Sequence, residues 1–212
     1  ILQQPLSIGA DIVVHSTTKY INGHSDVVGG AVIAKCKMVH EDLAWWANCT
    51  GITGSPFDSF ITTRGLRTLS VRMKQHEENA SAVVESLNKH PAVDQVFYPG
   101  LETHATHRIA AQQQTGFGAM FSFTLNQDEI CQKTFVKHLQ LFTLAESLGG
   151  VESLICHPAT MTHAALSPDA LKNAGIGSNL FRLSVGIEDA QDLINDLNTA
   201  LSRSTLKALR AS

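Results

Sequence analysis

The longest uninterrupted helical pattern in the chain constrains it most. Ser55-Pro56-Phe57-Asp58 is a strong helix start. A serine caps the first free N–H groups, a proline already has the φ of the first helical position, and an acid suits the first turn. Apolar residues then recur at Phe57, Phe60, Ile61, Leu69, Met73, Ala80, Val83, Val84 and Leu87. Their spacing by threes and fours predicts one long amphipathic helix, with Gly65 as the place for a break. It ends before Pro91, because the residue preceding a proline is pushed out of helical geometry. A helix of this length reads as the join between two domains.

The flanking segments are α/β in character. Ile12-Val13-Val14 reads as a buried strand, Ala31-Val32-Ile33-Ala34 as a second, and Met38 to Asn48 as a helix broken by Gly51 and Gly54. After the long helix, Val93, Val96, Phe97 and Tyr98 mark a strand. Met120 to Leu125 alternates phenylalanines with hydroxyls. Asp128 to His138 reads as a helix, Leu141 to Leu144 as a strand, and Ser167-Pro168 as the start of a short helix ending near Gly175. Phe181, Leu183, Val185 and Ile187 alternate with polar residues, among them Arg182. Ala190, Leu193, Ile194, Leu197 and Leu201 mark a terminal amphipathic helix.

Composition excludes several functions. A hydrophobic fraction of 43% and a net charge of −3 are those of a globular protein with no bias toward nucleic acid or an anionic membrane. No apolar run is long enough to span a bilayer. The four cysteines, Cys36, Cys49, Cys131 and Cys156, are far apart and lack metal-site spacing. They read as free thiols of a cytoplasmic protein. His104, His107, His157 and His163 fit no structural zinc pattern, so no metal is expected. Trp45 and Trp46 read as core and interface residues.

The polar stretch between the first two strands is where chemistry is expected. It runs His15-Ser16-Thr17-Thr18-Lys19-Tyr20-Ile21-Asn22-Gly23-His24-Ser25-Asp26. A lysine amine forms a Schiff base with a carbonyl when it is unprotonated, and partial burial favours that state. Ser16 and Thr18 flank Lys19, and their hydroxyls suit phosphate oxygens. These are parts for holding a phosphorylated aldehyde such as pyridoxal phosphate. From spacing alone, a surface turn with an exposed lysine reads equally well, and Ser16 and Thr18 serve such a turn by local hydrogen bonds.

This stretch resembles the cofactor-lysine signature of the pyridoxal-phosphate enzymes of cysteine and methionine metabolism, the trans-sulfuration family. Further blocks agree and run in the family's order: Arg64 to Leu69, Leu144 to Leu154, Met161 to Ala164, and Arg182 to Asp189. The resemblance implies an aspartate-aminotransferase-like (type I) fold. Residues 1–77 would be the C-terminal part of the cofactor-binding large domain, and residues 78–212 the C-terminal α+β small domain. It implies that Lys19 anchors pyridoxal 5'-phosphate and then acts as base and acid at the substrate's α carbon. Ser16 and Thr18 would bind the phosphate, and Arg182 the substrate's α-carboxylate with a two-pronged hydrogen bond. Glu146 and Ser147 would border the substrate, and Asn48 its far end.

Leu43-Ala44-Trp45-Trp46-Ala47-Asn48 with Gly51-Ile52-Thr53-Gly54 resembles the members that join sulfur to carbon by γ-replacement. The reaction implied is displacement of the acyl group of O-succinylhomoserine by cysteine, giving cystathionine in methionine biosynthesis. The alternatives are elimination by a cystathionine lyase of the family, or a homoserine sulfhydrylase. The partners implied are amino-acid substrates and copies of the same chain, as a homotetramer. Relatives are much longer than this chain on its N-terminal side. The remaining reading is therefore a non-catalytic fragment that needs an N-terminal half carrying the ring-stacking residue, the aspartate for the pyridine nitrogen and the groups lent between subunits.

Overall fold

The structure is a computed structural model and describes residues 1–209. A hairpin comes first. β1 (Ile12–Ser16) pairs antiparallel with β2 (Gly30–Ala34), with Ile12 opposite Ala34 and Ser16 opposite Gly30. The lysine-bearing stretch is thus the tip of this hairpin. α1 (Lys37–Thr50) follows and ends at Gly51, whose φ of 71° is left-handed. That is the common glycine stop of a helix.

α2 (Pro56–Asn88) is a single helix of 33 residues. Ser55 Oγ accepts the Asp58 N–H at 3.0 Å, and Pro56 opens the first turn, as the sequence predicts. The break at Gly65 does not occur. A Cβ on Gly65 would lie 2.6 Å from the Ile21 carbonyl oxygen and 2.8 Å from that of Asn22. The glycine costs the helix about 1 kcal/mol of propensity. What it allows is close passage of the hairpin tip over the helix.

β3 (Val93–Phe97), α3 (His107–Gln113), β4 (Met120–Leu125), α4 (Gln132–His138), β5 (Thr143–Leu144), β6 (Leu154–Cys156), α5 (Pro168–Asn173), β7 (Leu180–Ser184), α6 (Ala190–Arg203) and α7 (Leu206–Leu209) complete the chain. The second sheet has the order β3-β4-β7-β6-β5, and only β5 and β6 run parallel. Phe121, Phe123 and Leu125 of β4, and Phe181 and Leu183 of β7, are buried against Ala80, Val83 and Leu87 of α2 and Leu193, Leu197 and Leu201 of α6. Phe123, Phe135 and Phe181 form a contacting aromatic triad with centroids 5.5–6.3 Å apart. Burial of each such side chain contributes about 1.5–3 kcal/mol. Asp189 caps α6 by accepting the Gln191 and Asp192 N–H groups at 2.8 and 3.2 Å.

Several expectations are corrected. The first hairpin is not buried: Val14 is 74% exposed and Val32 53%. Its apolar residues face both ways; α1 packs on β2 and the turn Pro5–Ile8 on β1. Trp45 and Trp46 are exposed too, stacked edge-to-face on each other at 4.8 Å. The helix expected from Asp128 starts at Gln132, because the chain at Ile130 first bridges to Thr205. β6 was unread; it has three residues, all buried, too few to show a period. β7 is the middle strand of its sheet, so Arg182 has a neighbouring strand on either side.

Candidate active site

The hairpin tip is closed by its own backbone. Asn22 N–H donates to Thr17 O at 2.9 Å and Gly23 N–H to Lys19 O at 2.8 Å. Thr18 Oγ1 accepts the Gly29 N–H at 3.0 Å and donates to Gly29 O at 3.3 Å. The Thr18 hydroxyl is therefore used in the turn, and its one proton must leave a long bond before it can reach a phosphate. Ser16 Oγ carries no such bond.

α2 then clamps the tip from below. Arg72 is 5% exposed. Its Nε donates to Thr68 Oγ1 at 3.0 Å, Nη1 to Tyr20 O at 2.8 Å, and Nη2 to Ile21 O at 3.2 Å and Gly65 O at 2.9 Å. Burial lowers its pKa, but a guanidinium stays charged in proteins. Gly23, at φ 74°, leaves no room for a Cβ, which would collide with the Arg72 guanidinium. Gly65, Thr68 and Arg72 lie on one helix face and together dictate the path of residues 20–23.

A second loop meets the tip from the sheet side. Gly149 has φ 78°, and a Cβ there would sit 2.8 Å from Tyr20 N and 3.1 Å from Lys19 Cβ. Only glycine allows this approach. Gly149 N–H donates to Ser184 Oγ at 2.8 Å, and Val151 N–H to Gly23 O at 2.8 Å. Arg182, between Ser122 and Cys156 across the sheet, sends Nη2 to Glu146 O at 2.8 Å and Ser147 O at 3.1 Å. Its Nε is buried and has no partner. An orphaned guanidinium N–H beside free Nη protons suits a bidentate anion such as a carboxylate.

Ser16, Lys19, Tyr20, Leu69 and Met73 line a cleft of about 410 Å³. Among the described residues the ion pairs are Lys37–Glu41, Lys74–Glu78 and Lys89–Glu85, so Lys19, Arg72 and Arg182 face no carboxylate. The structure thus brings Ser16 and Lys19 together in one cleft, and Arg182 together with the Glu146 and Ser147 carbonyls beside it. The two groups meet at Gly149. The Glu146 and Ser147 side chains themselves are exposed, and Asn48 lies apart on exposed α1.

Two residues of the site were not read from the sequence. Tyr20 and His76 pack edge-to-face with ring centroids 5.1 Å apart. Burial pushes the Tyr20 phenol up to about 12; the Ser184 hydroxyl offsets this slightly from a position short of a full hydrogen bond. His76 is fully buried, and its Nδ1–H donates to the Val185 carbonyl at 2.6 Å. Nε2 has no partner. Nothing distinguishes these two in sequence from core residues of an amphipathic helix and a turn.

Burial holds the His76 pKa below its usual value, with the Arg72 charge adding to the effect and the Val185 carbonyl and Glu188 opposing it. The unfolded chain therefore binds this proton more readily. Stability is fully present above the ordinary histidine value near 6.5 and is lost as pH falls below it. His90, also lowered by burial, adds with the same sign. Urea midpoints at pH 7.5 and about 5.5 check this: the parent loses stability between them, and His76→Gln, which keeps a donor for Val185, loses less.

A lysine without an acidic partner in a cleft, a hydroxyl beside it and an arginine with an unpaired Nε across a glycine contact are side chains of the kinds that holding a phosphorylated aldehyde and an amino acid requires. The chain belongs to the Cys/Met metabolism PLP-dependent enzyme family, which it matches over residues 1–202. It is similar to cystathionine gamma-synthase of Escherichia coli, 57% identical over 196 residues, covering 92% of this chain and 51% of that protein. A solved cystathionine gamma synthase from Xanthomonas oryzae pv. oryzae, in complex with aminoacrylate and cysteine, superposes with a TM-score of 0.90 at 61% identity, covering 95% of this chain and 52% of that one. A cystathionine beta-lyase of Coxiella burnetii is 51% identical over 202 residues, 95% of this chain and 52% of that protein. The chain spans about half the length of each of these relatives. The mixed α/β architecture fits the fold expected of this family.

Proposed function

We propose that this chain carries the lysine, one side of the phosphate site and the carboxylate-binding arginine of an enzyme that makes cystathionine. In that reaction cysteine sulfur replaces the acyl group at the γ carbon of O-succinylhomoserine. The single observation that carries the reading is the pairing of Lys19 and Arg182. Among the described residues both lack a carboxylate partner, and the loop whose carbonyls hold Arg182 touches the Lys19 turn at Gly149. The choice of reaction is supported by the gamma-synthase names among the relatives, at 57% and 61% identity.

The residues fit pyridoxal 5'-phosphate: an amine without an acidic partner, an uncommitted Ser16 hydroxyl, and an orphaned Arg182 Nε for the substrate held there. Lys19 would anchor the cofactor, with Ser16 and Thr18 toward its phosphate. When bound, the group supplies an electron sink for charge developing at the substrate's α carbon. Lys19 Nζ then takes the proton from that carbon, a positioned base worth ~10²–10⁴-fold in rate. Arg182 fixes the α-carboxylate by a planar two-point grip. Glu146 and Ser147 act through their carbonyls, which aim the guanidinium. Asn48 is assigned to the distal end of the substrate by resemblance.

We read residues 1–77 as the end of the large domain and residues 78–212 as the small domain, the last three positions lying outside the described residues. The main core cluster, which starts at Ala80, supports this. The bare apolar surface of the hairpin and α1 supports further polypeptide covering it, as in a homotetramer. The four unpaired cysteines support a cytoplasmic setting. Among the described residues no helix is long and apolar enough to cross a membrane.

Cystathionine cleavage is the second reading, favoured by the beta-lyase of Coxiella burnetii at 51% identity. Product analysis of the whole protein decides. Cystathionine formed from O-succinylhomoserine and cysteine supports the synthase; keto acid released from cystathionine alone supports the lyase. Arg182→Lys tests the site itself. Loss of the fork is expected to weaken amino-acid binding by roughly 10–100-fold, the worth of a charge-assisted hydrogen bond or two, with cofactor retention unchanged. Equal substrate affinity in the variant contradicts the assignment.

A further inference from the structure

Ser25 is the single non-glycine residue among those described whose backbone is left-handed, at φ 56°. That conformation is unfavourable for any residue with a Cβ and persists where surrounding contacts enforce it. The contact here is specific. The Ser25 hydroxyl donates to Glu152 Oε1, 127 residues further along the chain. The Glu152 carboxylate folds back over Gly150, where a Cβ would lie 2.5 Å from Oε1. Beside it, Val151 N–H donates to Gly23 O at 2.8 Å.

These links add to two others between the same segments: α2 reaches the Val185, Gly186 and Glu188 carbonyls through His76 at 2.6 Å and Asn79 at 3.0 and 2.7 Å, and Gly149 packs on the tip. Ser25 and Glu152 supply the side-chain hydrogen bond made by the tip itself. The tip carrying Lys19 is fastened to α2 through Arg72. The loop that runs from the Arg182-binding carbonyls is fastened to the sheet: Glu188 accepts from Ser153 N and Oγ at 2.7 and 2.8 Å, and Ile187 N–H donates to Val151 O at 2.9 Å. We propose that Ser25 and Glu152 are positioning residues that set the span between Lys19 and Arg182, and so the fit of the amino-acid substrate. This rests on the roles given to Lys19 and Arg182 above.

The test uses the whole, cofactor-loaded protein. Ser25→Gly removes the hydroxyl but accepts the backbone conformation, so folding is preserved. Ser25→Asn tolerates the left-handed region and offers an amide donor to Glu152. Ser25→Gly is expected to keep its visible cofactor band and its unfolding temperature. Amides of residues 149–152 exchange faster, KM for the amino acid rises about tenfold, and kcat stays within about threefold of the parent. Ser25→Asn restores most of the KM. Parent-level exchange or a parent-level KM in Ser25→Gly overturns the proposal. Exchange is read without turnover, so inactivity of parent and variants alike counts against the reaction, and unchanged exchange against the latch.

Discussion

Lys19→Ala is expected to lose more than about 10⁴-fold in turnover and to leave the protein without its visible cofactor band. Two effects combine. In the proposed function the amine is the base at the substrate's α carbon, a role alone worth ~10²–10⁴-fold, and also the covalent hold on the cofactor. The fold is not at risk. Among the described residues Lys19's side chain has no hydrogen-bond or ion-pair partner, while its backbone is held by Gly23 and its neighbours by Arg72. Substitutions of this kind stay within about 0.5 kcal/mol in stability. Absorbance, turnover and the urea midpoint of the same preparation check the prediction. A variant that is folded and still coloured contradicts it.

Arg72→Met is expected to cost about 3 kcal/mol or more of stability, although Arg72 touches no substrate. Its buried guanidinium satisfies the carbonyls of Tyr20, Ile21 and Gly65 at 2.8–3.2 Å. Methionine fills similar space but leaves the Tyr20 and Ile21 carbonyls without this partner, at about 1–3 kcal/mol for each that stays dry, while Gly65 O keeps the Thr68 hydroxyl at 3.2 Å. The loss is read as a lower urea midpoint at an unchanged slope. Turnover falls too, because the tip that aims Lys19 is freed, and a misplacement near 1 Å costs up to about 10²-fold. Arg72→Lys does not rescue, since a single ammonium cannot reach three carbonyls and Thr68 at once. A midpoint equal to the parent's contradicts the clamp.

The legible parts of this chain were those with local causes. Ser55-Pro56 fixes the start of the long helix and Gly51 the end of the one before it. The alternation of Met120 to Leu125 gives a strand with its phenylalanines buried. The polar stretch between the two apolar runs was legible as a turn, whereas the role expected of Lys19 came from the resemblance, since spacing alone suits an exposed lysine equally well. The illegible parts depend on distant partners. Gly65 looks like a helix breaker until Ile21 and Asn22 pass over it. Arg72 looks like a surface cation of an amphipathic helix until the hairpin tip caps it. The exposure of Val14, Trp45 and Trp46 was illegible for the opposite reason: their apolarity is real, but none of the other described residues covers them. Glu146 and Ser147 meet Arg182 through their carbonyls, which no side-chain pattern encodes.

The central claim is that one amine in the hairpin tip holds the cofactor. Borohydride reduction of the whole, cofactor-loaded protein, followed by peptide mass spectrometry, tests it most directly. The pyridoxyl mass is predicted on the peptide containing Lys19 and absent from Lys19→Ala. The label on another lysine, with Lys19 unmodified, contradicts the account.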